Sequence, residues 1–85
     1  MMFGVHTTLI PDKLSNIVQL RKQGKIMCPE GMKIIEEYVW GLKFLVVIVE
    51  AEDLGKVMDF AQQLSRYTTD LEVEAVTALK DLAHV

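Results

Sequence analysis

The chain has 85 residues, of which 51% are hydrophobic, with one cysteine and a formal net charge of −3. This length suffices for one small domain and excludes two, so a single domain over residues 1–85 is expected. The high apolar content excludes a disordered chain. A membrane-spanning helix is excluded as well, because every stretch of about 18 residues contains a charged side chain.

Charge is distributed unevenly along the chain. Residues 1–33 hold five basic and two acidic side chains, whereas residues 34–85 hold four basic and ten acidic ones. The basic excess falls where a first helix would face solvent and no aromatic side chains are interleaved with it, so no nucleic-acid partner is expected. The lone Cys28 and the lack of a signal-peptide pattern predict a protein of the reducing cytoplasm that does not associate with membranes.

The chain opens with a predicted strand and helix. Residues 2–9 alternate between two faces and include β-branched side chains, which is typical of a strand. Pro11 suits the first turn of a helix and Gly24 suits the position just after its end. A helix is therefore predicted over residues 11–23.

A β-hairpin is predicted in the middle of the chain. Residues 32–39 and 42–50 form its two arms, and Trp40 and Gly41 form the turn, where glycine accepts a positive φ.

The last part of the chain predicts a second helix and a final strand. Asp53, or Glu52 beside it, is expected to cap this helix. Its apolar residues recur at helical spacing: Leu54, Val57, Met58, Ala61 and Leu64. The helix is expected to end near Arg66, residues 68–70 to form a turn, and residues 71–79 to alternate as the last strand.

The resulting order, βαββαβ, predicts the fold class. Right-handed crossovers favour a four-stranded antiparallel sheet in the order 4-1-3-2 with both helices on one face, which is the α+β, ferredoxin-like fold. The tail to residue 85 is open between a frayed strand and one helical turn.

The predicted third strand is apolar on both of its faces. One face carries Phe44, Val46 and Ile48, and the other carries Leu45, Val47 and Val49. The face without helices is extended by Met2, Gly4, Val76 and Ala78. Two helices cover one face of such a sheet, so a second copy packed sheet to sheet is expected to cover the other, giving a homodimer or an assembly of dimers. The alternative is a monomer whose apolar face curls partly shut.

Several short segments resemble a known family. They are residues 2–9 in the pattern MFxVHxTL, where x marks an unmatched position, 11–14 (PDKL), 29–33 (PEGMK), 40–41 (WG), 48–53 (IVEAED) and, more weakly, 71–73 (LEV). Together they resemble an uncharacterised prokaryotic domain family of unknown function that belongs to the dimeric α+β barrels. Where that family tends to have an aromatic residue after the first-strand histidine and a proline in the fourth strand, this chain has Thr7 and Ala75.

The resemblance implies a dimeric α+β barrel with a small-molecule pocket. The superfamily includes cofactor-free monooxygenases, haem-degrading enzymes, isomerases and effector-binding domains, so it does not imply one chemistry.

His6 is the main candidate functional residue. Alternation places it on the face that would line the barrel, where an imidazole can act as acid or base or ligate a metal. The alternative is a buried histidine hydrogen-bonded to a carboxylate of the adjacent strand. Glu72 and Glu74 are in phase with His6 on that strand, and the sequence leaves the register open. His6 and Glu74 are the predicted catalytic residues, and His6 and Glu72 are predicted ligand contacts.

Three residues of the second predicted strand share one face. Glu36, Tyr38 and Trp40 combine two aromatic rings with a carboxylate, which is typical of a ligand pocket, although edge-strand aromatics also serve packing. No metal site is expected, because the other histidine is His84 in the tail and no two-histidine spacing exists. No phosphate loop or Cys/His pair is present, so no cofactor is expected.

Three functions therefore stay open. The first is a small protein that binds an apolar or aromatic molecule in the barrel. The second is a cofactor-free enzyme of monooxygenase or isomerase type with His6 as acid or base. The third is a structural dimerisation module that fills its barrel with side chains. The sequence does not decide whether the protein is an enzyme.

Overall fold

The computed structural model of the protein describes residues 1–82. Its elements are β1 (Met2–Leu9), α1 (Leu14–Lys22), β2 (Met32–Trp40), β3 (Phe44–Ala51), α2 (Leu54–Ser65), β4 (Thr68–Ala75) and α3 (Leu79–Leu82). The single helical turn α3 is one of the two conformations expected for the tail, and His84 lies outside the described residues.

The four strands form one antiparallel sheet in the order β2-β3-β1-β4. This is the predicted order 4-1-3-2 counted from the opposite edge, so the ferredoxin-like fold is confirmed. Across residues 1–82, none of the helices has the length and apolar character needed to cross a bilayer.

The hydrophobic core lies between one face of the sheet and the two longer helices. The sheet contributes Phe3, Val5, Leu9, Met32, Leu45, Val47, Val49 and Ala51. Of the helices, α2 supplies Val57, Phe60, Ala61 and Leu64, whereas Ile17 is the one buried residue of α1. The sheet is therefore covered by helices on one face, as the sequence predicted.

The buried stripe of α2 is rotated from the predicted one. Phe60 is fully buried, whereas Leu54 and Met58 are exposed. The helix lies along β4, β3 and β1, and this places the Phe60 side of its apolar face against the sheet. The predicted cap is confirmed, because the Asp53 carboxylate accepts a hydrogen bond from the Lys56 backbone N–H at 3.1 Å.

The first helix begins later than predicted. Asp12 has a φ of 68°, a left-handed conformation that cannot belong to a right-handed helix, so α1 starts at Leu14 after an uncapped Lys13. Its end is as expected, since Gly24 has a φ of 71° and donates its N–H to the Arg21 carbonyl.

The hairpin turn lies one residue further along than predicted. Gly41 and Leu42 both have positive φ, at 62° and 58°, and the Lys43 N–H donates to the Trp40 carbonyl at 3.0 Å. Two central residues with positive φ match the twist of the flanking strands. Trp40 therefore belongs to β2, and β3 starts at Phe44.

The last strand lies earlier in the chain than predicted. Thr68 and Thr69 do not form a turn. They pair with Leu9 and Thr8, because β1 extends far enough to form backbone hydrogen bonds with them. At the other end the Val76 N–H donates to the carbonyl of Met2, the first residue of β1, and the ladder stops there. Ala78 therefore lies after the strand and is not part of the sheet face.

Candidate functional site

The face of the sheet opposite the helices carries the residues that the sequence singled out. Cross-strand pairing places on this open face Met2, Gly4, His6 and Thr8 of β1, Phe44, Val46, Ile48 and Glu50 of β3, Glu36, Tyr38 and Trp40 of β2, and Glu72 and Glu74 of β4. Its centre is apolar, and most carboxylates lie on the two edge strands. We call this surface the open face.

His6 lies beside two carboxylates of the neighbouring strand. Its Nε2 is 3.2 Å from Glu72 Oε2 and 4.0 Å from Glu74 Oε1. His6 pairs directly with Glu72 and Gly4 pairs with Glu74, so the two glutamates follow each other on the same face of β4. All three side chains are partly exposed, so they are accessible to a ligand or an ion.

A backbone irregularity sets this register. Leu9 and Thr8 pair with Thr68 and Thr69, but the pairing shifts by one residue before it reaches His6. Asp70, with a φ of 54°, lies in the segment of β4 that contains the extra residue of this bulge. An unshifted ladder would place Leu71 opposite His6, since a slip of one residue exchanges the two faces of a strand.

An aromatic pocket lies on the other side of His6. Its volume is about 330 Å³, and it is lined by His6, Trp40, Phe44 and Val46. Trp40 and Phe44 are directly paired residues of β2 and β3, and they are 73% and 45% exposed. A second depression of about 450 Å³ continues from Trp40 and Val46 to Tyr38.

The carboxylate of Glu36 shifts the pKa of the Tyr38 hydroxyl. A hydrogen bond from the Tyr38 hydroxyl to Glu36, reinforced by the negative charge of that carboxylate, raises the pKa of Tyr38 above its ordinary value. Both residues share one face with Trp40 because they alternate along β2, and the shift in pairing between Ile34 and Glu36 places Ile34 on the opposite, core side.

Gly4 allows the chain after β4 to approach the open face. A Cβ added at Gly4 would lie 3.1 Å from Val76 Cγ2 and 3.7 Å from Ile48 Cδ1. The side chains of Val76 and Ile48 thus occupy the space next to Gly4 on the open face.

The predicted site residues form two groups. His6, Glu72 and Glu74 are together at the β1–β4 edge, whereas Glu36, Tyr38 and Trp40 lie on β2. The strand β3 separates the two groups, so Glu36 and Tyr38 are not neighbours of His6. Trp40 belongs to the β2 group but lines the aromatic pocket together with His6, Phe44 and Val46.

A groove on the helix side was not predicted from the sequence. It has a volume of about 280 Å³ and lies between α1 and the β2 edge, with Ile17, Val18, Val39 and Leu45 among its lining residues. An ion pair between Arg21 and Glu37 lies beside it. The groove exists because α1 packs lightly, with Ile17 as its one buried residue.

Comparisons with known proteins add no relative. No protein-family model matches this chain, and no curated protein is significantly similar to it. The resemblance noted from the sequence therefore stays a prediction.

Proposed function

We propose that the protein is a homodimer whose two sheets face each other and enclose a small apolar or aromatic molecule. The observation that carries the proposal is the open face, where the aromatic pocket and apolar residues such as Val46 and Ile48 lie on the side of the sheet that α1 and α2 do not cover. Contiguous apolar surface of this kind marks an interface or a ligand site. The resemblance to dimeric α+β barrels supports the same arrangement.

The nature of the pocket supports an apolar ligand. Three of its four lining residues are hydrophobic, and His6 supplies the polar group that would orient a ligand. A second copy packed on the open face would close the open side of this pocket.

The test of the dimer is a mass measurement. Light scattering at micromolar concentration is expected to give twice the chain mass for the parent protein and the monomer mass for Val46→Glu, which introduces a charge at the centre of the open face. The matched control is Leu54→Glu, an equally drastic change at an exposed position of α2, which should stay dimeric. A parent protein of monomer mass contradicts the proposal.

The test of the pocket uses the neutral fluorescent probe N-phenyl-1-naphthylamine. Trp40 is the only tryptophan of the chain, so quenching of its emission reports binding at the pocket directly. Phe44→Ala removes one wall and should weaken binding, whereas Leu42→Ala removes an exposed side chain of the turn and should not. A dimer that does not bind the probe, nor other small aromatic compounds, favours the structural dimerisation module.

The contact between His6 and Glu72 favours a second candidate, a cofactor-free enzyme of monooxygenase or isomerase type. A carboxylate 3.2 Å from the imidazole can orient it for proton transfer to or from a molecule in the adjacent pocket. His6→Ala is then expected to abolish turnover of a quinol or haem substrate found by screening while the dimer persists. Equal turnover in variant and parent rules out His6 as the acid or base.

A further inference from the structure

We infer that His6, Glu72 and Glu74 bind a divalent first-row transition-metal ion. Each side chain offers one donor atom, and the three donor atoms lie within 4.8 Å of one another. The cluster combines an imidazole nitrogen with two carboxylate oxygens, a mixed donor set that such ions favour. It is complete within one chain, so it does not depend on the proposed dimer.

The distances suit a single ion after small side-chain rotations. Tetrahedral coordination at about 2.1 Å places two donor atoms about 3.4 Å apart. His6 Nε2 and Glu72 Oε2, at 3.2 Å, already meet this distance, and His6 Nε2 and Glu74 Oε1, at 4.0 Å, need a shift well below an ångström. The two carboxylate oxygens lie within 4.8 Å of each other, so any remaining approach comes from rotation of the two glutamates. Both glutamates are largely exposed, so rotation about their side-chain bonds is unhindered by burial.

The charges of the cluster favour a dication. Glu72 and Glu74 lie two residues apart on one face of β4, and among residues 1–82 no lysine or arginine nitrogen lies within 4.0 Å of either carboxylate. Two adjacent negative charges repel each other, and a doubly charged cation between them removes this repulsion. If a second copy covers the open face, the need for a cation increases, because burying two carboxylates beside a single imidazole is costly.

The donor set distinguishes among cations. Magnesium and calcium take oxygen ligands, whereas an imidazole suits zinc, iron, cobalt and nickel. Three protein donors leave at least one coordination position for water or for an oxygen of a bound molecule. Because His6 also lines the aromatic pocket, that molecule would combine an apolar body with an oxygen donor.

Binding of Co²⁺ and Zn²⁺ to the purified chain tests the site. The measurement uses a Cys28→Ser and His84→Gln background, which removes the free thiol and leaves His6 as the only histidine. We expect one Co²⁺ per chain with visible d–d absorption, displacement by Zn²⁺, and no displacement by an equal concentration of Mg²⁺.

Variants locate the ion. His6→Gln, Glu72→Gln and Glu74→Gln should each weaken Co²⁺ binding by about tenfold or more, since each removes a donor. The matched control is Glu50→Gln, another exposed carboxylate of the open face, which should bind Co²⁺ like the parent. Absence of saturable binding, or binding that His6→Gln leaves unchanged, overturns the inference. Light scattering in the presence of EDTA separates the two proposals, because a metal-free dimer leaves the proposed function intact.

Discussion

His6 Nε2 lies 3.2 Å from Glu72 Oε2 across the β1–β4 pair. The contact exists because His6 and Glu72 are directly paired residues on one face of the sheet, where side chains of adjacent strands meet. The candidate enzyme uses this contact to orient the imidazole, and the proposed metal site uses the two side chains as donors.

This contact depends on the bulge at Asp70. The extra residue in β4 brings Glu72 opposite His6 in place of Leu71, and Asp70 adopts a φ of 54° to accommodate it. Aspartate tolerates this conformation, whereas a β-branched residue does not. We therefore expect Asp70→Val to lower the free energy of unfolding by about 1–2 kcal/mol.

Urea unfolding at fixed protein concentration measures this loss. Asp70→Gly is the matched control, because glycine adopts positive φ without strain and should keep the stability within about 0.5 kcal/mol of the parent. Asp70 is exposed, so neither variant removes a buried contact. Equal stability of the valine and glycine variants would show that the bulge imposes no such restraint.

A pair of substitutions in α2 tests the orientation of the helix. Phe60 is fully buried and Met58 is exposed, although the sequence period placed Met58 in the buried stripe. Phe60→Ala is expected to cost about 3–5 kcal/mol, because it removes a large side chain and leaves a cavity. Met58→Ala should cost less than about 1 kcal/mol, as a surface change does. Chemical unfolding of both variants measures the two losses in the free energy of unfolding. A larger loss for Met58→Ala than for Phe60→Ala would mean that the helix is rotated.

The sequence predicted the fold well because its strongest signals are periodic. Alternation in β1 and the helical period of α2 identify elements and their order, and right-handed crossovers then restrict the topology. Glu36, Tyr38 and Trp40 lie on one face of β2 as predicted, since all three follow the bulge and alternate along the strand.

Register and helix rotation could not be obtained in the same way. The sequence of residues 68–70 predicts a turn where the structure has the bulge at Asp70, because these residue types are common in turns. The local sequence carries no information on the pairing of this segment with β1. The sequence placed Glu72 and Glu74 in phase with His6, but only the tertiary pairing fixes that Glu72 lies opposite it. No metal site was expected because the sequence has no two-histidine spacing, whereas the proposed site joins one histidine to carboxylates of the neighbouring strand.

The hairpin turn offers a stabilising substitution. Leu42 is a non-glycine residue with a φ of 58° and an exposed side chain, so it bears conformational strain with little burial to offset it. Leu42→Gly is expected to raise the free energy of unfolding by about 0.5–1 kcal/mol, because a Gly-Gly pair suits this turn.

The neighbouring glycine provides the opposite change. A Cβ at Gly41 would meet no atom within 4 Å, so Gly41→Ala should lose about 1 kcal/mol for conformational reasons alone. Thermal unfolding of the two variants is the measurement. If Leu42→Gly destabilises while Gly41→Ala is neutral, the turn does not have the positive φ values described.

The pair of Glu36 and Tyr38 predicts a pH effect on the open face. Glu36 accepts a hydrogen bond from the Tyr38 hydroxyl and repels the tyrosinate, so it raises the pKa of Tyr38. The native state consequently holds the Tyr38 proton to higher pH than the unfolded chain does. By linkage, the stabilising contribution is complete below the ordinary tyrosine pKa and is lost as the pH rises through the raised pKa of the native state.

Absorbance at the tyrosinate band during an alkaline titration measures this directly. Glu36→Gln removes the negative charge and should move the titration of Tyr38 to lower pH, while Glu37→Gln, on the opposite face of the same strand, should leave it unchanged. The chain has two tyrosines, so a Tyr38→Phe variant identifies which part of the titration belongs to Tyr38. An identical titration in Glu36→Gln and the parent would show that the two side chains are not in contact, and would remove Glu36 from the group that lines the β2 side of the open face.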